Sequence, residues 1–507
     1  VKFQGLITDY IEGDLMDLLI GIDIGTSSTK AIVTDEKGHE IASVSEGYNI
    51  DTPKPLWAEC DAQMWLDAVL KVMRELSKKV DTAKVRAIAI SGLYGGAGVP
   101  LDREMNPVYP TLIWMDKRAV EQTRWVKKNI GIDNLFEITG NTVDPYFGFT
   151  KMMWIRDNEP EIWKKIALFL PPKDYVIYKL TGEVSTDYSS AGNIGGIFNL
   201  RNRRWSIEML KALGISPDKL PEKVIPSETI AGYLSEEMAK HTGFKSGTPV
   251  VSGGVDAAVA TLASGVCDEG ENTAMIGTSM CWGTIHGGNH LDWHFVNFPY
   301  VVNGKEQVYS FGGATTAGAI IEWFRNLFKE EDLKKLEVTA ERVAPGAEGI
   351  TVLPFFMGER APLWDMDIRG CIYGLSLSHD EAHLYRAFLE SIAYILKLNL
   401  KAAKEAKIPV NPSTMVVGGI SKSNLWLEIA ASVLERNIYS FPISSDAPYG
   451  DCFLAGLAVG LFNDTKEIKN WLPEKAKTQP SREWILAYKE AYEKFENLYR
   501  GIKAGEL

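Results

Sequence analysis

What the chain has little of narrows its class first. Its longest purely apolar run, Cys452–Phe462, has 11 residues, well short of the roughly 20 that cross a bilayer, and reads as a core helix. The 5 cysteines, Cys60, Cys267, Cys281, Cys371 and Cys452, are odd in number and scattered, with no C-x-x-C pair. This pattern fits buried thiols in a reducing compartment and not a disulfide framework. Positive charge is in deficit: Lys and Arg number 54 against 66 acids, a net charge of −12. Such a balance argues against nucleic acid or an anionic membrane as the main partner. A nucleotide would then be held by local backbone dipoles and a metal ion. No G-x-x-x-x-G-K-[ST] loop occurs, and the glycines of Gly92–Gly98 do not fit G-x-G-x-x-G, so neither a P-loop nor a dinucleotide site is read. His379-Asp380-Glu381-Ala382-His383 misses H-E-x-x-H by one place. His286, His290 and His294 recur every four residues, but in a Gly-, Asn- and Pro-containing stretch that does not read as a helix, so no metal site is read there. Residues 1–17 resemble neither a signal peptide nor an amphipathic transit helix.

What is present centres on Leu18–Asp35, LLIGIDIGTSSTKAIVTD. Alternating apolar residues on both sides of Gly25-Thr26-Ser27-Ser28-Thr29 read as a β-hairpin. A turn made of Gly, Thr and Ser offers close backbone N–H groups and hydroxyls to an anion. Asp23 ends the first strand, where an acid could hold hydrated Mg²⁺, and Lys30 begins the second, where a cation could meet phosphate oxygens. A hairpin tip with a solvated Lys is the plain alternative. The second half repeats this pattern: Asn272–Thr284, NTAMIGTSMCWGT, is strand, Gly277-Thr278-Ser279, strand. Two Gly-Thr-Ser turns predict a duplicated architecture with a phosphate cleft between the copies.

Length, with 45% apolar and 24% charged residues, fits an ordinary globular protein of two to four domains. Helices are predicted over Trp57–Lys79, Arg118–Asn129, Lys151–Asn158, Asp174–Thr181, Gly318–Phe328, Asp380–Glu405, Ser423–Leu434 and Arg482–Ile502. Strands are predicted at Val85–Ser91 and Thr414–Gly419. In Ser252–Gly265, Gly253-Gly254 allow a tight turn and Ala257-Ala258 start a helix. Asp256 would then sit at a helix N-terminus, where the dipole favours the ionised form. It could serve there as a base or as a helix cap.

Taken together in order, several blocks are similar to the FGGY family of carbohydrate kinases, from Leu18 to Trp471. They are Asp23-x-Gly25-Thr26-x-x-x-Lys30, the run Lys151–Asn158, Ser252–Gly265, Gly358-Glu359-Arg360-Ala361-Pro362, Gly374–Glu390 and Val417–Glu435. The resemblance implies an α/β fold of two actin-like ATPase (ribonuclease H-like) domains with a cleft between them. It divides the chain into an extension at 1–15, a sugar-binding domain over 16–265 and a nucleotide-binding domain over 266–507. It implies Asp256 as catalytic base, and ATP and Mg²⁺ as cofactors, with Asp23 holding Mg²⁺ through water. Thr26, Ser27, Ser28, Lys30, Thr278, Gly318, Glu322, Gly419 and Ser423 would bind the nucleotide. Gly95, Gly96, Trp114, Tyr146, Asp256 and Ala257 would bind substrate.

Two departures stand out. Gly148 replaces the family's Ser, Thr or Pro. Tyr94-Gly95-Gly96 stands where xylulose and gluconate kinases carry Gln-Met-His and glycerol kinases Arg-Glu, which speaks against glycerol.

The expected activity is Mg-ATP-dependent phosphorylation of a primary hydroxyl of a small linear sugar. Xylulose comes first, with gluconate or another ketose or polyol second. A rival of another class is a non-metabolic ATPase of the same fold, which would have no reason to match the Asp256 block and Tyr146. Expected partners are the sugar and ATP, without nucleic acid or membrane; a homodimer is compatible with the reading, and the expected compartment is the cytoplasm. Met16 directly precedes the first strand, so the native start is read there. Deleting residues 1–15 should leave sugar-dependent ADP release intact, and a clear loss would refute that reading.

Overall fold

The computed structural model describes residues 16–329, 332–441 and 446–505; the extension read at 1–15 lies outside the described residues. The opening hairpin forms as its alternation predicts. β1 (Leu18–Ile24) runs antiparallel to β2 (Ser28–Asp35), in register from Leu18↔Asp35 to Ile24↔Thr29. β1 is buried nearly throughout, which explains its unbroken apolar text, because a central strand covered on both faces has no polar side to show. β3 (Glu40–Gly47) continues antiparallel on β2. On the other side β4 (Val85–Gly92) lies parallel to β1, and β5 (Pro249–Val251) parallel to β4.

The second half lays down the same sequence of strands. β6 (Asn272–Ile276) and β7 (Met280–His286) form a hairpin, and β8 (Val308–Ala314) is antiparallel to β7. β9 (Ser413–Val417) is parallel to β6, and β10 (Asn437–Ser440) to β9. The two sheets therefore share one core order, β3-β2-β1-β4-β5 and β8-β7-β6-β9-β10, each extended by edge strands. The repeated Gly-Thr-Ser text marks a repeated topology.

Helices cover these sheets. α1 (Ala62–Ser77) is capped by Asp61 and buries Trp65, Val69, Val72, Met73 and Leu76. It is shorter than the predicted Trp57–Lys79, because Trp57 is taken out of the chain's helical path. Trp57 packs edge-on to Trp154 at 5.4 Å and lies 3.5 Å from the Arg118 guanidinium. α2 (Gly148–Asn158), α3 (Asp256–Ala263) and α4 (Gly318–Phe328) follow. α5 (Glu381–Glu405) begins in a capping box between Asp380 and His383, which gives that histidine a structural role. α6 (Asn424–Leu434) and α7 (Ala447–Ala458) come next. α8 (Arg482–Ala504) packs Tyr488, Tyr492 and Phe495 on Tyr394 of α5. Among the described residues no helix is long and apolar enough to cross a membrane.

The sequence did not predict the position of α7. It belongs to the C-terminal half, yet packs on β1 and β4 of the first sheet and crosses α3. Two glycines permit the approach. A Cβ on Gly21 would run into the carbonyl oxygen of Pro448, and one on Gly450 into that of Val259. Ser91, near the end of β4, fastens the helix by donating from Oγ to Asp451 Oδ2 at 2.5 Å. Because the obstacles at Gly21 are backbone atoms, Gly21→Ala should cost about 3 kcal/mol or more, at the upper end of overpacking. It should also lower the melting temperature by several degrees. Gly47→Ala, whose new Cβ would meet nothing closer than Ser27 O at 3.9 Å, should melt like the wild type; equal melting of both variants would refute the packing argument.

Candidate active site

The parallel strands β1, β4 and β5 end side by side, and ligands of open α/β sheets gather at such carboxyl ends. At the end of β1, Gly25 N donates to Ser28 O (3.0 Å) to close the Gly-Thr-Ser turn. Tyr48 braces this turn: its hydroxyl donates to Gly25 O (2.7 Å), and its backbone N–H to Ser27 O (3.0 Å). Ser27 is exposed, while Thr26 and Ser28 are half-buried. The Thr26 hydroxyl is already engaged, because Trp114 Nε1–H donates to it at 3.1 Å. Trp114, read as a packing surface for substrate carbons, lies against Gly95 and also reaches the Gly-Thr-Ser turn. Lys30 faces Asp23 across the hairpin and holds Asp446 at 3.1 Å, with both members of this pair about half exposed.

Asp23 receives only Ser91 Oγ, at 3.3 Å. Burial pushes its carboxyl up to about 8, and the negative charges of Asp256 and Asp446 add to this, while Lys30 and the Ser91 bond oppose it. Asp451 is raised well above the carboxylate range, chiefly by burial, and its Oδ1 has no hydrogen-bond partner. The site therefore gathers carboxyl groups with little cationic compensation, and burial holds Asp23 and Asp451 in their protonated form near neutral pH.

Asp256 follows the tight turn at Gly253-Gly254, which is tied down on three sides. Gly92 N donates to Gly254 O, Gly253 N to Ser227 O, and Val255 N to Ser189 Oγ at 3.0 Å. Beneath it Asp187 accepts from Ser189 and Ser227 and pairs with Lys173 at 3.0 Å, while Lys173 donates to Ser252 O. Asp256 is the first residue of α3 and not its cap; Val255 holds that position without a side-chain bond. Its carboxylate accepts from Ala257 N at 2.7 Å and is otherwise open to the cleft. Burial works against the helix N-terminus here, yet leaves the group mostly ionised at neutral pH. Its carboxyl is raised to about 6, with Ala257 N–H and the Arg360 guanidinium opposing the rise.

The wall opposite is backbone. Gly95 has φ of +89°, and a Cβ there would lie 2.9 Å from Tyr146 Cζ and 3.0 Å from Trp114 Cβ. Gly148 opens α2 against Gly96, whose carbonyl oxygen a Cβ on Gly148 would strike. This contact explains the departure at that position. Lys151, fully buried, donates to Gly95 O (3.0 Å), Pro145 O (2.6 Å) and Tyr146 O (2.6 Å). It fixes the glycine wall relative to Tyr146, and burial holds its ammonium well below the usual lysine range. The Tyr146 hydroxyl meets Asn193 Oδ1 at 3.5 Å.

Across the second sheet, Gly277 and Thr278 are exposed at the β6–β7 turn. Gly318 N donates to Gly277 O, and Ala319 N to Thr278 O, which docks the start of α4 on the turn. Gly418 approaches Ile276 O, so exposed Gly419 lies at the same edge. Glu322 is exposed on α4, paired with Arg325 at 2.7 Å. Ser423 is less free than the resemblance implied: its hydroxyl caps α6 through Trp426 N (3.0 Å) and donates to Glu337 at 2.6 Å. Sequence reasoning passed over Tyr48, Ser91, Asp451 and Arg360. Arg360, from the Gly-Glu-Arg-Ala-Pro block, lies over Trp114 (5.7 Å) and Phe311 (5.1 Å). Only that block signalled its importance.

Known proteins share this arrangement. The xylulose kinase of Staphylococcus xylosus is 31% identical over 491 residues, covering 96% of this chain and 100% of that one. The gluconokinase of Bacillus subtilis is 28% identical over 493 residues, 95% of each chain. Among solved structures, a ligand-bound xylulose kinase from Lactobacillus acidophilus superposes with a TM-score of 0.90 at 25% identity, over 96% of this chain and 99% of that one. A gluconate kinase from the same organism gives 0.89 at 26%, over 96% and 98%. The N-terminal domain of the FGGY family of carbohydrate kinases matches residues 18–263, and its C-terminal domain residues 272–459. With both halves of the family matched and the actin-like two-domain fold in place, the chain belongs to the FGGY carbohydrate kinases and is an ATP-dependent sugar phosphotransferase.

Proposed function

We propose that this kinase phosphorylates the primary hydroxyl of a small linear ketose, xylulose first, and that Asp256 is its base. The observation that carries the reading is the open carboxylate of Asp256, the first residue of α3, within electrostatic reach of Arg360. Similarity to xylulose kinases supports the sugar. Gluconate is the second reading, supported by similar gluconokinases and by a wall at Gly95-Gly96 that offers no side chain to choose between acceptors. Residues 16–265 would supply the sugar site and residues 266–507 the adenosine site.

Phosphoryl transfer depends mainly on positioning and electrostatics. In the proposed step the acceptor oxygen forms a bond to the γ-phosphorus as the bond to the β–γ bridging oxygen breaks. The hydroxyl proton passes to Asp256, and ADP leaves with the bonding pair. Thr26, Ser27, Ser28 and Lys30 would hold the phosphates from one side and Thr278 from the other. Gly318, Glu322, Gly419 and Ser423 would border the nucleoside. Tyr146, Trp114, Ala257, Gly95 and Gly96 would enclose the sugar.

The acids present fit Mg²⁺. Asp23 and Asp451 are held close to a third carboxyl group, and one Asp451 oxygen is unpartnered among the described residues, a surplus of acidic oxygens whose ionised form a dication would favour. Asp23 would hold it through water, and the ion would supply neutralisation of phosphate charge. An enzyme of the cytoplasm, without nucleic acid or membrane partner, fits the chain's acidic balance; a homodimer is compatible with it.

Sugar-dependent ADP release measured across pentuloses, polyols and aldonic acids should be highest with xylulose. Strong release without any sugar would refute the kinase reading of Asp256. Because a base must be ionised and burial places Asp256 at about 6, activity should fall about tenfold per unit below that pH. Asp256→Asn should lose about 10²–10⁴-fold in kcat while nucleotide affinity is kept. A raised carboxyl opposes folding once ionised, above about pH 6, and this penalty vanishes below the ordinary range near 3.8. The variant should therefore melt no lower than wild type at pH 8; near-normal turnover in it would remove Asp256 from the role.

A further inference from the structure

No carboxylate among the described residues makes a direct ion pair with Arg360. Its Nε is buried without a hydrogen-bond partner. The neighbouring Glu359 is turned away, accepting from Thr315 N and Oγ1 at 2.8 Å and from Arg360 N at 2.9 Å. Nη2 makes only long contacts, to Met280 O at 3.4 Å and Cys281 Sγ at 3.5 Å. The rings of Trp114 and Phe311 pack against it. A half-buried guanidinium with an unpartnered Nε and no directly paired carboxylate has an anion that arrives with the substrates as its natural complement.

Position indicates which anion. Met280 starts β7 directly after the Gly277-Thr278-Ser279 turn. Trp114, beneath the guanidinium, donates to Thr26 of the other turn. Arg360 thus stands between the two Gly-Thr-Ser turns and within electrostatic reach of Asp256. A cation placed only to read the far end of a sugar would have no reason to link both turns.

We propose that Arg360 is a catalytic residue whose guanidinium holds the phosphoryl group in transit from ATP to the acceptor oxygen. It keeps its own protons throughout; the hydroxyl proton still goes to Asp256 and the bonding pair to ADP. Charge spreads over the equatorial oxygens of the transferring group, and a planar fork of N–H donors fixed beforehand by two aromatic faces matches them. The inference rests on the kinase reading given above.

The test uses the full chain with Mg-ATP and xylulose, comparing wild type, Arg360→Met and Arg360→Lys. Arg360→Met should lose about 10²–10³-fold in kcat, the range for removing one donor to developing charge, with KM for sugar and ATP within about threefold. Arg360→Lys, which keeps the charge but not the fork, should recover part of that loss, which a merely structural role would not grade by charge. If Arg360→Met fails to fold, a fall in kcat of about tenfold or more in Arg360→Lys, at unchanged KM, carries the test. A kcat within about threefold of wild type in the folded variants overturns the proposal, as does a loss confined to KM for sugar, which would make Arg360 a reader of the acceptor's tail. Absence of sugar-dependent turnover in the wild type would overturn the kinase reading itself, an outcome separate from both.

Discussion

The close crossing of α3 and α7 between the two sheets underlies the rest of the structure. Main chain meets main chain there, with no side chain between them at Gly450, and α7 meets β1 in the same way at Gly21. Because protein interiors are close-packed, such a contact fixes position to within tenths of an ångström. It brings Asp256, at the start of α3, and Asp451, inside α7, to the same end of the first sheet as Asp23. The acidic character of the site follows from this backbone geometry, since three carboxylates from distant parts of the chain are forced into one desolvated corner.

Around that corner the protein divides positioning from reactivity. Buried groups do the positioning. Lys173 and Asp187 hold the turn before Asp256, Lys151 ties three carbonyls of the opposite wall, and Tyr48 braces the first Gly-Thr-Ser turn. Among the groups left open are Asp256, Arg360, the exposed turn at Gly277-Thr278, the tip at Ser27, Lys30 and Gly419. Preorganisation of this kind lets a cleft act on charge without rearranging at the moment of reaction.

Much of this was legible in the text because it is local. A hairpin with a small polar tip, a glycine pair before an acid and an alanine-rich helix start each lie within a dozen residues, and the repetition of the Gly-Thr-Ser tip disclosed the duplicated sheets. The upward shift of the Asp256 carboxyl was not legible, since dipole effects amount to about 0.3–1 kcal/mol and the burial that opposes them comes from distant parts of the chain. What could not be read depends on contacts across great chain distance. The Ser91–Asp451 bond joins positions 360 residues apart, and neither residue's neighbours announce the other. The bond from Trp114 to Thr26 was likewise not legible, because nothing in the sequence context of either residue points to the other. Ser423 was assigned to the nucleoside side by family likeness, whereas its hydroxyl is occupied by its own helix.

The glycine wall constrains how this pocket can diverge. A Cβ at Gly96 would strike the Leu112 carbonyl, and one at Gly148 would strike the Gly96 carbonyl. A side chain gained at either position would therefore force its backbone neighbour to move, so a change of acceptor preference through this wall needs an accompanying shift of the main chain at Leu112 or at Gly96.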